Sequence, residues 1–319
     1  IKTENFISAP NESLSLNPVV DNNGSFQNLY LKWGDSNIAV FERGNDITQP
    51  SLKPILDQQL FKQDDIKLIE KKINNWFKDT YISKLDLSSH LDKFNSKPEE
   101  RSFIFKIKEG SYNLYQSNIL DEFKKLEESK RKEIHALNFR LGKNVIFNTE
   151  LIRPEYMKLK FYLWNIYFNK NFKVDEYIPK DGNATLNVRN NLDNSLVNYL
   201  GFILQDNLLI RLDIFNEFEK QLFKRENRGP FSLPMDLSNL LGIKKDKLIN
   251  ILKNKSFLIQ EFSDNDLVIS KKIKITKTQD IEQKKLKKAL KNPLKKVKKS
   301  PSKKLFNNPF DQLKNINAK

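Results

Sequence analysis

Residues 233–275 read LPMDLSNLLGIKKDKLINILKNKSFLIQEFSDNDLVISKKIKI. Leu237, Leu241, Ile243, Leu248 and Ile251 stand on either side of Gly242 as a helix-turn-helix requires: the apolar residues pack two helices together and the glycine supplies the turn. Two strands joined at Asp264-Asn265-Asp266 follow. Helix, turn, helix and a two-stranded segment are the parts of a winged helix. Its second helix, KKDKLINILKNK, carries Lys244, Lys245, Lys247, Lys253 and Lys255, which against nucleic acid would stand near phosphates. The competing reading is a module used only for packing, with those lysines as a solvated outer face.

Upstream, a strand-turn-strand-helix pattern recurs. RSFIFKIKEGSYNLYQS turns at Glu109-Gly110 and leads into ILDEFKKLEESKRKEIHAL; FRLGKNVIFN turns at Gly142-Lys143 and leads through Pro154 into EYMKLKFYLWNIYF; YLGFILQDNLLIRL turns at Asp206-Asn207 and leads into DIFNEFEKQLFKR. LYLKWGDSNIAVFE (29–42) reads as a further hairpin around Gly34-Asp35-Ser36. The helix after it places Ile66, Ile69, Ile73, Trp76 and Phe77 on one face, with Asp64 or Asp65 as N-cap. Asn, Ser and Pro dominate 1–27, a predicted linker, and 178–195 is the most loop-like interior stretch, a predicted boundary. The sequence thus predicts an α+β chain divided into 1–27 linker, 28–177 α+β domain, 178–195 loop, 196–231 hairpin-helix module, 232–277 winged-helix-like module and 278–319 basic, mostly disordered tail.

Charge is placed unevenly. The chain carries a net +16, of which the segment from Lys271 onward holds +14, leaving +2 for everything before it. Most of it comes from eleven lysines with no intervening acid: Lys284, Lys285, Lys287, Lys288, Lys291, Lys295, Lys296, Lys298, Lys299, Lys303 and Lys304. Such a run fits a phosphate-tracking arm, whose binding gains free energy from counterion release without sequence preference. A solubilising tail and a membrane-surface segment are the alternatives. Leu286, Leu290, Leu294 and Val297 allow a short amphipathic helix, which Pro293 and Pro301 oppose.

The same text argues against several chemistries. No stretch approaches the roughly 18 apolar residues of a membrane span, and composition is compatible with a cytoplasmic setting. There is no cysteine, and His90 and His135 are isolated, so neither a thiolate nor a histidine-cluster metal site is expected. The Gly142-Lys143 pair lacks the remaining residues of a phosphate-binding loop, with Leu137 where the first glycine should be and Asn144 where Ser or Thr should follow. Asp121-Glu122 and Asp175-Glu176 are acidic pairs, of which the first, beside Lys124 and Lys125, reads as a solvated helix face; Trp33, Trp76, Phe161 and Trp164 fall at core-like positions.

LNFRLGKNVIFNTELIRPEYMKLKFYLWNIY (137–167) resembles a segment in the C-terminal half of alphaproteobacterial superfamily 2 helicases related to the mitochondrial degradosome RNA helicase. Arg140, Gly142, Phe147, Pro154, Leu159 and Trp164 carry the likeness. The Trp76 helix, GFILQDNLLIRLDIF and the terminal NNPFDQLKNI are similar to later or earlier family segments in the same order, while Asn148-Thr149 depart from a usual Leu-Pro. The resemblance implies upstream RecA-like motor domains in the same polypeptide, binding ATP and Mg. The start at Ile1 rather than Met reads as a piece of a longer chain. No catalytic residue or cofactor is carried over to this segment. The expectation is therefore a C-terminal accessory, nucleic-acid-binding region of an ATP-dependent DNA/RNA helicase, inactive as an enzyme alone. The alternatives are a stand-alone winged-helix DNA-binding protein and an RNA-associated structural protein.

Overall fold

The computed structural model describes residues 3–55, 62–94, 97–180, 183–188, 191–263 and 266–271. It is an α+β structure whose described strands form four small antiparallel sheets. The first sheet is a meander of β1 (Leu14–Val20), β2 (Phe26–Trp33), β3 (Ser36–Asp46) and β4 (Gln49–Pro54). Its β2–β3 turn falls at Gly34-Asp35, where the sequence places it. Ahead of it, α1 (Thr3–Ser8) contributes Phe6 to the core.

Residues 1–27 are therefore not a linker over their described length. Only three of their apolar side chains, Phe6, Leu14 and Phe26, are deeply buried, too few to leave a pattern in Asn- and Ser-rich text. Backbone bonding to β2 holds β1, an edge strand where Pro18 is tolerated. The α1 end is held by α2 (Gln63–Phe77): Lys72 Nζ donates to the carbonyls of Phe6 and Ile7 at 2.7 Å and of Ala9 at 2.5 Å. Trp76 Nε1 donates to Asn11 O at 3.1 Å. Helix α2 buries Ile69, Ile73, Trp76 and Phe77, with Ile66 half-buried, and Phe77 meets Phe41 of β3 edge-on at 5.1 Å. It starts after Lys62, so Asp64 and Asp65 lie within its first turn, where they complement the dipole instead of capping.

After the short α3 (Ser83–Leu85) and α4 (Ser88–Leu91), the expected strand at 101–108 is instead the helix α5 (Pro98–Glu109). Phe103, Phe105 and Ile107 alternate as in a strand, yet Phe103, Ile104 and Ile107 also share a helical face. Pro98 at N1 and acidic Glu99 and Glu100 decide for the helix. Phe105, the residue that only strand pairing would have covered, is left 64% exposed. The following helical text breaks into α6 (Ile119–Lys124) and α7 (Glu128–Ala136).

The two later hairpins form as read. They are β6 (Phe139–Leu141) with β7 (Val145–Asn148), and β9 (Phe202–Gln205) with β10 (Leu208–Arg211), leading into α8 (Pro154–Phe168) and α11 (Leu212–Glu226). Asp206 and Asn207 both have positive φ, as a two-residue I′ turn demands. Each hairpin gains an added strand: β5 (Asn113–Tyr115) pairs with β7, and β8 (Thr185–Asn187) pairs with β10. The stretch 178–195 thus supplies a strand to the sheet, and the chain to Lys271 is one compact unit. Between these lie α9 (Val174–Tyr177) and α10 (Asn194–Leu200); β11 (Phe231–Ser232), α12 (Met235–Leu241), α13 (Lys245–Asn254), β12 (Phe257–Ser263) and β13 (Asp266–Lys271) complete the described chain.

Two cores meet across β7 and β10. Ile146 and Leu209 face the core shared with Phe103, Phe139 and Phe161, whereas Val145, Phe147, Leu208 and Ile210 face the core of Phe215, Phe218, Leu237 and Ile251. Gly201 sits at the same junction. It ends α10 at φ +84°, and a Cβ there would stand 2.6 Å from Ile152 Cγ2. Gly201→Ala is therefore expected to cost about 3 kcal/mol, combining left-handed strain with overpacking. Gly24→Ala, also at positive φ but with open space around it, should cost about 1 kcal/mol. Urea denaturation of the two variants checks this; equal losses would mean that the contact with Ile152 is irrelevant.

Candidate functional site

Helices α12 and α13 meet at Gly242, in the left-handed region at φ +61°. Leu237 and Leu241 from α12 and Leu248, Ile251 and Leu252 from α13 are buried, with Ile243 partly buried beside them. The five lysines of this segment do not share one role. Lys244, at the N-cap, and Lys253 are exposed and Lys245 is half-buried. Lys247 Nζ donates to Asn187 Oδ1 of β8 at 2.5 Å and to Asn207 O at 3.4 Å, joining α13 to the β8–β10 sheet. Lys255 turns away from solvent: its Nζ pairs with Glu219 Oε1 of α11 at 2.5 Å and lies 4.6 Å from the Phe215 ring centroid.

That last pair corrects the reading of Lys255 as a phosphate contact. The two side chains are only 18% and 14% exposed, and Tyr115 also donates to Glu219 Oε1 at 3.1 Å. Freeing Lys255 for a phosphate would leave a buried carboxylate uncompensated, a loss of several kcal/mol in comparable pairs. Burial, followed by the Glu219 charge, pushes the Tyr115 hydroxyl up to about 12. The exposed face of α13 also carries Asp246 and Asn250, so it is mixed in charge. The eleven lysines from Lys284 to Lys304 lie outside the described residues.

A second constellation lies where α4, the turn before β5, α8 and α10 converge on a cleft of about 360 Å³. Ser111 and Tyr112 in that turn both have positive φ, +51° and +68°, an uncommon conformation for non-glycine residues. Hydrogen bonds hold them there. Tyr112 donates its hydroxyl proton to Asp86 Oδ1 at 3.0 Å and accepts from Leu87 N at 3.1 Å; having one proton, it must accept from Ser88 Oγ at 3.0 Å. Burial alone would raise the Asp86 carboxyl, but the bonds from Ser88 and Tyr112 outweigh it and hold it below the ordinary range. Burial is the main cause pushing Tyr112 up to about 12.

Lys160 of α8 enters this cleft almost wholly buried, at 2% exposure. Its Nζ lies 4.4 Å from the Tyr199 ring centroid. With the Asn113 amide turned so that its oxygen faces the lysine, that oxygen accepts from Nζ at 3.2 Å and its nitrogen donates to Tyr112 O at 3.2 Å. Burial lowers Lys160 to about 7, and no ion pair to it forms among the described residues. The Tyr199 hydroxyl is buried without a hydrogen-bond partner among the described residues, and burial, with Asp46 and Tyr112 adding to it, raises its pKa.

No family model matches the chain, nor does any curated protein or solved structure. Among the described residues there is no cluster of His, Cys, Asp or Glu able to hold a metal ion, and no helix long and apolar enough to cross a membrane. Motif reading does not find the Lys160 cleft. Its one sequence signal is Lys160 itself, set between Leu159 and Phe161 in a helix that is apolar on nearly all sides.

The pH dependence of stability tests the Lys160 environment. A lysine with a depressed folded pKa binds fewer protons folded than unfolded between about 7 and its ordinary value of roughly 10.4. Its contribution is therefore fully present above the unfolded value and lost as pH falls toward about 7. Between pH 7 and 9, below the range where the tyrosines titrate, wild-type stability should rise by up to about 1.4 kcal/mol per unit, and Lys160→Met should remove most of that rise. Urea denaturation across this range is the check; equal slopes in the two proteins would place the Lys160 amine in water.

Proposed function

We propose that this chain is a nucleic-acid-binding accessory region of an ATP-dependent helicase, with residues 212–271 acting as a winged helix. The observation that carries the reading is the order α11, β11, α12, α13, β12, β13, with β13 lying between β11 and β12 in the sheet. Helix, strand, two helices and two strands with the last strand central is the arrangement of a winged helix, and it supplies the strand before α12 that the sequence reading lacked. In such a module α13 is the groove-facing helix. Lys244, Lys245 and Lys253 then remain for phosphates, while Lys247 ties the module to the β8–β10 sheet and Lys255 ties α13 to α11 within it.

The polycation from Lys284 to Lys304 adds sequence-independent affinity to this contact. The helicase part of the reading rests on the likeness of residues 137–167 and the segments around them to the accessory half of such enzymes. It assigns ATP and Mg to RecA-like domains upstream in the same polypeptide, and assigns no catalytic residue to this chain. DNA and RNA are both substrates the reading admits.

Fluorescence anisotropy with short labelled DNA and RNA, titrated with salt, tests it. Lys244→Ala, Lys245→Ala and Lys253→Ala together should weaken binding and reduce the salt slope by roughly 0.7 to 0.9 log units for each phosphate no longer engaged. Deleting residues 284–304 should weaken unrelated sequences alike. Lys255→Ala should lower stability and leave the slope of the folded protein unchanged. A salt slope that the triple variant does not alter would remove α13 from the interface.

A further inference from the structure

The cleft beside α8 goes beyond that reading, because nothing in a phosphate-binding accessory region calls for it. It combines three features that point to small-molecule chemistry. Lys160 and Tyr199 both line it, Lys160 without an ion-pair partner and the buried Tyr199 hydroxyl without a hydrogen bond among the described residues, and its wall is a left-handed Ser111–Tyr112 turn tied down by Asp86 and Ser88. A buried polar atom left unpaired costs about 1 to 3 kcal/mol. A ligand that satisfied it would recover that loss on binding.

We propose that this cleft captures a short, uncharged, hydroxylated aldehyde or ketone as an imine on Lys160 Nζ, with the Tyr199 hydroxyl bonding to the carbonyl oxygen during attack, before that oxygen leaves as water. The Nζ lone pair attacks the carbonyl carbon, a C–N bond forms, and the C=O π electrons move to oxygen. Nitrogen loses one proton and oxygen gains one, giving a carbinolamine. A second proton passes from nitrogen to that hydroxyl, which leaves as water while the nitrogen lone pair closes C=N. No electrons are exchanged with another reagent, so the capture is reversible.

The surroundings set the ligand class. About 360 Å³ admits only a small molecule. Asp46 on β3 and Asp86 before α4 face the space with negative charge, and Lys108, the second cation there, is committed to Asp92 at 2.5 Å. A carboxylated ligand would therefore be disfavoured, whereas the Thr48, Ser88 and Ser111 hydroxyls suit a polyhydroxylated one. The amine is available because burial holds Lys160 near 7, leaving a large fraction neutral where an ordinary lysine is almost wholly protonated.

The test uses the 319-residue chain with glycolaldehyde and sodium cyanoborohydride, which traps imines as stable amines, followed by peptide mass spectrometry. At pH 7 Lys160 should be modified roughly tenfold or more faster than the exposed Lys93 and Lys170, the gap expected from its larger neutral fraction. Its rate should reach half its maximum near pH 7. Tyr199→Phe, which removes only the unpaired hydroxyl, should slow Lys160 severalfold and leave Lys93 unchanged. Comparison within one folded chain makes the outcome independent of whether a Lys160 variant folds. Modification of Lys160 no faster than Lys93 and Lys170 would overturn the proposal, and an unchanged Lys160 rate in Tyr199→Phe would overturn the part given to Tyr199. No nucleic acid enters the measurement, so its result stands apart from that of the binding assay.

Discussion

A strand buried on both faces must have both of its edges paired. β7 and β10 lie between two cores, and in each strand alternate residues point to opposite sides, as the two-residue period of a strand requires. No water reaches the backbone of such a strand, so every N–H and C=O in it needs a partner from the protein. Each of these strands is accordingly the middle one of its sheet, with β5 and β6 flanking β7, and β8 and β9 flanking β10. The hairpins supply one partner in each case. The other, only three residues long, comes from a distant part of the chain.

The same demand explains which parts of the architecture could be read in advance. Hairpins at Gly142-Lys143 and Asp206-Asn207 were legible because local turn chemistry and flanking apolar runs specify them. Helices α2, α8 and α11 were legible through periodicity or a proline start. By contrast β8, in Thr185–Asn187, has no residue that is deeply buried, and β11 is two residues long. Their positions are fixed by the unpaired edges of β10 and β13, which no window of sequence around them encodes. The helix α5 failed for another reason: Phe103, Phe105 and Ile107 satisfy strand spacing as well as Phe103, Ile104 and Ile107 satisfy helix spacing. The capping residues, not the apolar ones, carry the decision there.

For the sites, sequence reading recovered the lysine-bearing helix but treated its lysines as equivalent. What separates them is tertiary and therefore absent from the local text: Lys255 meets Glu219 from a helix 36 residues earlier, and Lys247 meets Asn187, 60 residues earlier. Lys72 repeats the pattern, using its three donors on the carbonyls at the end of α1. In each case a long, adaptable cation closes a gap that apolar packing leaves unsatisfied. Lys160 differs because it meets an aromatic face and an amide oxygen and no carboxylate, so burial acts on its charge with little opposition.

This division of lysines bears on how the chain would hold a polyanion. The body ahead of Lys271 nets only +2, and several of its cations are committed to carboxylates or carbonyls inside the fold. Its surface field is therefore weak, and α13 presents Asp246 beside the lysines that remain free. Long-range attraction must then come from the +14 beyond that point, whose reach is limited to about a Debye length, roughly 8 Å at physiological salt. In the proposed interface a polycation of this charge density would recruit phosphate chains of any sequence, whereas the small set on α13 would add position and orientation at short range. On the proposed reading, affinity and placement would fall to different parts of one chain, and salt would erode the first much faster than the second.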